Sequence, residues 1–198
     1  MGIRTRAATD ADVTAISAVL AEAFADDPVM AAIWPNDAHR YRLLPRYFAV
    51  SLRHFHLPGG GVRVATDRDG HIGAVAVWDP PGSQAGSTAR TVRALPDLLP
   101  ILGRRAGAGL AVRRAIDARR PSSPPEHWYL AHLASPLSHR GQGYARTLLT
   151  SSVERPAWLV CTRETTIPYY ERAGFSVAES FHLPAGARPP VWAMVRRT

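Results

Sequence analysis

The sequence predicts an α/β fold: a mixed central sheet with helices on both faces. Three observations carry that prediction. Strand and helix patterns alternate through the last third of the chain, hairpin patterns lie towards both ends, and a glycine turn joins a strong strand to an amphipathic helix.

The elements follow in order. "DADVTAISAVLAEAFADDP" opens on an acidic cap and repeats Val13, Ile16, Leu20 and Phe24 at helical spacing, with Pro28 expected to close it. A second helix is expected from about His39 to His54, with Pro45 inside it as a threat to its continuity. "VRVATD" and "HIGAVAVWD" read as a hairpin across "DRDG". The stretch Arg90 to Arg119 is helical in composition, with Pro96 and Pro100 expected to break or start it. "HWYLAHLAS" is the strongest strand, and a helix from about Tyr144 to Val153 follows the glycine turn. "AWLVCT" is a strand and "IPYYERAG" a short helix ended by Gly174, and "FSVAESF" and "PVWAMVRR" close the sheet.

With 198 residues and 46% hydrophobic content, the chain is expected to form a single domain with a substantial core over residues 1–198. It has no apolar run of membrane-spanning length, and its N-terminus lacks an apolar signal core. Cys161 is the only cysteine, which excludes an internal disulfide and a thiolate zinc site. Together these features point to a reducing, cytoplasmic setting without a membrane partner. The net charge is +8, and every one of the 24 basic residues is arginine. They are scattered, with one cluster from Arg90 to Arg120, so they read as a solvated surface and no nucleic-acid partner is expected.

The turn "SHRGQGYARTLL" holds the chemistry. Gly141 and Gly143 let the backbone come close to a ligand, and the following helix directs its free N–H groups and dipole to the same place. A phosphate-bearing ligand is expected there. A P-loop needs a lysine that this chain does not have. A dinucleotide fingerprint needs a glycine where Arg146 stands. The pyrophosphate turn of acyl-CoA enzymes, [RQ]-x-x-G-x-[GA], is matched by Arg140, Gly143 and Ala145.

With "HWYLAHLASPLSHRGQGYARTLL", "IPYYERAGF", "GAVAVWDPPG", "AFADDP", "IWPND" and "FHLPAGARPPVWAMVRR" at this spacing, the chain resembles the GNAT superfamily of N-acetyltransferases. The branch it looks most like contains the puromycin-type antibiotic acetyltransferases. The resemblance covers nearly the whole chain. It implies a mostly antiparallel sheet containing one splayed pair of parallel strands, with acetyl-CoA as cofactor. Leu133, Ala134 and Ser135 would then flank the pantetheine arm, and the amides of Arg140, Gly141, Gln142, Gly143, Tyr144 and Ala145 would hold the pyrophosphate. Pro136 stands one residue earlier than the family's proline, and Thr166 stands where many members have a cofactor-contacting asparagine.

The implied reaction is acetyl transfer from a thioester to a primary amine, by direct attack in a ternary complex. In the family pattern, Tyr170 donates a proton or a hydrogen bond to the departing sulfur. An alkylamine of pKa ~10 must lose a proton before it can attack. His132 on the central strand is the candidate base, or else a histidine satisfied against a helix. Glu126, His127, Asp26, Asp27 and a water chain are alternatives. Cys161 could carry an acyl group but reads more readily as a small core hydrophobe. His54 and His56 are expected to point apart with no carboxylate near, so no metal ligands are assigned. The acceptor, a small-molecule amine, would lie among Asp26, Asp27, Trp34, Tyr47, Phe48 and Trp78. A homodimer is left open. The competing reading is a CoA-binding regulatory module with little turnover.

Overall fold

The computed structural model describes residues 2–83, 87–121, 127–151 and 156–197. Strand β1 (Arg4–Ala7), which the sequence pattern did not reveal, leads into α1 (Val13–Ala23). Pro28 does not close α1. It opens α2 (Pro28–Ile33), because Asp27 caps that helix by accepting from the amides of Val29 and Met30. Helix α3 (Asp37–Ser51) runs straight through Pro45 into a π-helical turn, Leu52–His56. The hairpin β2 (Val62–Thr66) and β3 (Ile72–Asp79) forms as the alternation predicts.

Two helices separate β3 from the next strand of the sheet in the sequence. They are α4 (Ser87–Leu102) and α5 (Ala106–Asp117), and the next strand is β4 (Trp128–Ala134). Pro96 and Pro100 lie inside α4, and the break falls at Gly103 instead. The remaining elements are α6 (Tyr144–Ser151), β5 (Ala157–Cys161), α7 (Ile167–Glu171), β6 (Ser176–His182) and β7 (Pro190–Arg196).

All seven strands form one sheet in the order β1-β2-β3-β4-β5-β7-β6. Every neighbouring pair is antiparallel except β4 with β5. Both faces are covered, which is why β3 reads as an unbroken apolar run. Val75 and Val77 face the layer of α1, α2, α3 and α5, with Leu20, Leu44, Phe48 and Val112. Ala74, Ala76 and Trp78 face α6, with Leu148 and Leu149. Burying a valine side chain fully contributes about 2 kcal/mol, so this parity fixes which side of β3 meets which layer.

Candidate active site

The parallel pairing of β4 with β5 lasts only from Trp128 to Leu130, opposite Ala157 to Leu159. Beyond Leu130 the strands part: β4 stays with β3 as far as Ala134, and β5 stays with β7 as far as Cys161. A β-bulge sits at the same point. Leu130 pairs with Trp78 and His132 with Val77, which leaves Ala131 as the extra residue. The bulge breaks strict alternation, so Ala131 and His132 both serve the face that carries the α1–α3 layer.

A cavity of about 160 Å³ occupies this gap. On one side lie Leu133, Val160, Cys161, Thr162, Thr166 and Tyr170, and on the other α5 supplies Gly109, Val112, Arg113 and Ile116. Burial raises the Tyr170 hydroxyl above its ordinary pKa, helped by the neighbouring Cys161, Tyr169 and Asp27. It therefore stays protonated at neutral pH. Tyr169, as expected of a packing residue, lies against the α6-side core and outside the cavity.

The glycine turn has the geometry of an anion cradle. Gly141 and Gly143 have φ of 77° and 89°, which side-chain-bearing residues rarely adopt. Among the described residues, no turn bond takes up the amides of Gly141, Gln142 or Gly143. The first bond of α6 runs from the Thr147 N–H to the Gly143 carbonyl at 2.9 Å, so the amides of Tyr144, Ala145 and Arg146 end the helix unpaired. The Gln142 side chain donates to the Ser138 carbonyl at 2.8 Å, and Glu22 accepts from the Leu137 amide at 2.9 Å. Both bonds brace the loop that follows Ser135 and Pro136. Arg140 is exposed at the turn. Only the backbone of Tyr144 is free for a ligand, because its ring is buried between His139 and Gly73. Open amides of this kind, on the loop that follows a parted strand, can hold an anionic group such as a diphosphate.

Thr166 lines the cavity but does not cap α7. Its hydroxyl donates to the Arg163 carbonyl at 2.8 Å and lies 3.0 Å from the Cys161 sulfur. The buried Cys161 thiol in turn donates to the Arg163 carbonyl at 3.1 Å, as a packed cysteine does.

His132 lines the cavity with its ring edge-on to Phe24, Phe48 and His56. Burial lowers its pKa to about 3, with His56 adding to the effect. It is a neutral imidazole with little affinity for a proton. His127 is buried away from the cavity, and Glu126 lies outside the described residues.

The expected acceptor residues divide. Asp27 and Tyr47 line the cavity. Burial raises the Asp27 pKa against the hydrogen bonds of Thr162, Val29 and Met30. Asp26 does not reach the cavity: it is exposed and accepts from the Tyr41 hydroxyl at 2.6 Å. Trp34 is a core residue, edge-on to Tyr47, and Phe48 packs on His132. Trp78 faces α6, on the wrong side of the sheet, and its neighbour Asp79 faces the cavity instead.

Asp79 and His56 are the residues sequence reasoning missed. His56 Nδ1 lies 2.7 Å from Asp79 Oδ1. His54, pointing away, meets Asp97 at 3.0 Å. The two rings diverge as expected, but each has a carboxylate companion, contrary to expectation. The parity of "GAVAVWD" put Asp79 on the face of Val75 and Val77 and was the available signal. In the β2–β3 turn, Asp67, Asp69 and His71 lie within mutual reach, but Asp67 is occupied with the turn's own amides. Of the Arg90–Arg120 cluster, Arg113 bonds Asp117, Arg119 covers the Phe181 ring and Arg120 lies over the Trp158 ring. Among the described residues, no helix is long and apolar enough to cross a membrane.

No protein-family model matches the chain. Solved structures do. A histone acetyltransferase HPA2-related acetyltransferase from Corynebacterium glutamicum is 28% identical, with a TM-score of 0.75 over 100% of this chain and 97% of that one. The polyamine N-acetyltransferase of Drosophila melanogaster, which forms N-acetylagmatine, is 18% identical, with a TM-score of 0.69 over 100% of both chains. An N-acetyltransferase from Staphylococcus aureus is 14% identical, with a TM-score of 0.65 over 97% of this chain and 99% of that one. The fold is that of an acyltransferase of the N-acetyltransferase type. The mixed, mostly antiparallel sheet with its single parallel pair is the one that the GNAT resemblance implies.

Proposed function

We propose that the chain is an acetyl-CoA-dependent N-acetyltransferase acting on a primary amine of a small molecule. The reading rests on one observation above all. The edge of β4 left unpaired beyond Leu130 opens into the cavity that Tyr170 lines, with free amides at Gly141 to Gly143 on the loop that follows β4. A diphosphate held at residues 140–145 would let the pantetheine arm run beside Leu133, Ala134 and Ser135, and would bring the thioester towards Tyr170.

The amine nitrogen attacks the thioester carbonyl directly, with both substrates bound. The carbon–sulfur bond breaks and the sulfur leaves with the electron pair. Tyr170 donates a hydrogen bond or a proton to it. Because burial raises the Tyr170 pKa, its hydroxyl acts more by holding the thiolate than by complete transfer. His132 stands at the strand parting as a neutral ring on the amine's route.

The amine-acetylating relatives and the puromycin-type sequence resemblance both support a small-molecule amine acceptor. The test is incubation with acetyl-CoA and a panel of polyamines, agmatine, arylalkylamines and aminoacyl antibiotics, following the appearance of free thiol. Thiol release with one of these amines is expected. Acetyl-CoA binding without release across the whole panel would leave a CoA-binding module and overturn the reading.

A further inference from the structure

We propose that His56, oriented by Asp79, accepts the proton of the incoming amine, and that the acceptor is therefore an alkylamine entering the cavity as its ammonium ion. This rests on the acetyltransferase reading above.

The two residues come from separate elements. His56 ends the π-helical turn after α3, and Asp79 ends β3. Their side chains are 6% and 12% exposed, and both line the cavity. Burial opposes ionisation of Asp79, but the charge and hydrogen bond of His56 outweigh it and hold the carboxyl below its ordinary pKa. A carboxylate can only accept, so Nδ1 of His56 carries the hydrogen and donates it to Oδ1. That assignment leaves Nε2 with its lone pair. An imidazole fixed in one tautomer by a carboxylate is the arrangement a general base needs.

The surroundings favour His56 over His132. The two ring centroids are 5.8 Å apart. His132 is edge-on to the rings of Phe24, Phe48 and His56, and its side chain carries no hydrogen bond among the described residues. His56 has a negative partner to stabilise the imidazolium it would become. The other ionisable groups facing the pair are His132 on β4 and Arg113 on α5, with Tyr47 on α3 and Tyr129 on β4 nearby. Arg113 donates to Asp117 at 2.8 Å, and burial keeps both tyrosine hydroxyls protonated. The Asp79 carboxylate is the acidic member of the pair and sits in a mostly apolar wall, which favours a cation. One N–H bond of the ammonium breaks, its proton moves to Nε2, and the nitrogen keeps the electron pair with which it attacks. The second proton lost by nitrogen leaves with the sulfur. His56 returns its proton to water after product release. His56 is the catalytic residue here and Asp79 the positioning one.

The test compares the most reactive alkylamine of the panel with its trifluoromethyl analogue, whose nitrogen is already neutral at the assay pH. His56→Gln is expected to lower kcat/KM for the alkylamine by roughly 100- to 10,000-fold and for the analogue by less than about tenfold. Asp79→Asn, which keeps the shape of the pair, should show the same split with smaller losses and serves if His56→Gln fails to fold. Acetyl-CoA affinity is measured on each variant and should not change. Equal losses for both amines, or none, would overturn the proposal. A wild-type protein that releases no thiol with any amine would instead overturn the acetyltransferase reading, and the role of the pair with it.

Discussion

The Thr162 hydroxyl donates to Asp27 Oδ2 at 2.6 Å, tying the open tip of β5 to the cap of α2. The contact joins two sides of the cavity, because both residues line it. Thr162→Val removes the donor and leaves a buried carboxylate short of a partner. The expected cost is about 1–3 kcal/mol, or a melting temperature lower by roughly 2–10 °C. Burial has already raised the Asp27 pKa, so protonating it relieves the penalty. The deficit should therefore be largest at neutral pH and shrink as the solution is acidified, which thermal melts at pH 7 and pH 4 would measure.

Tyr170→Phe keeps the ring against Phe175 and removes only the hydroxyl. Turnover is expected to fall roughly 10- to 1000-fold, with acetyl-CoA affinity retained. Single-turnover kinetics decide whether the loss lies in the chemical step. An unchanged chemical rate would remove Tyr170 from the mechanism.

Gly73 fixes the cradle from below. A Cβ there would meet the Tyr144 ring at 2.5 Å, and Tyr144 is the first residue of α6. Gly73→Ala should push that ring, and the free amides beside it, out of place. Weaker CoA binding by about tenfold or more is expected, read by calorimetry. Gly143→Ala tests the same cradle by strain instead, since φ is 89° and the nearest atom to the new Cβ is 3.9 Å away. A positive φ in a non-glycine residue costs about 1–3 kcal/mol, and CoA affinity should fall accordingly.

His132 makes a prediction about acid stability. Its pKa is lowered from 6.5 to about 3 in the folded protein. Below the unfolded value the unfolded chain binds more protons, so stability is complete above pH 6.5 and declines as the pH falls towards 3. The limiting slope is about 1.4 kcal/mol per pH unit. His132→Phe, placed among Phe24 and Phe48, should flatten this decline in denaturant titrations between pH 7 and pH 4. An unaltered slope would show that His132 is not held neutral by burial.

The architecture was legible because it follows from alternation and punctuation, both local properties. The β2–β3 hairpin, β4, the glycine turn and α7 announced themselves in this way. β1 did not, because an arginine-rich four-residue edge strand has no apolar period. Pro96 and Pro100 misled because a proline ring on an exposed helix face can be accommodated when the neighbouring turns hold. In the site, the backbone course was readable, with glycines at positive φ in the turn and a helix starting at Tyr144, whereas side-chain directions were less so. One extra residue at Ala131 shifted the parity of β4, and one step along β3 separated Trp78, which faces α6, from Asp79, which faces the cavity. The His56–Asp79 pair was invisible because its members are 23 positions apart on different elements.

The wide sequence separation of β3 and β4 also has a kinetic consequence. β2 and β3 meet across a short turn, whereas β3 and β4, although adjacent in the sheet, have α4 and α5 between them in the sequence. Closing the larger loop carries an entropic cost that grows with the logarithm of its length. The order of assembly therefore favours the first hairpin, with the β3–β4 zipper following once α4 and α5 have formed. The cavity at the parting of β4 and β5 would then be among the last parts of the molecule to acquire protection from hydrogen exchange.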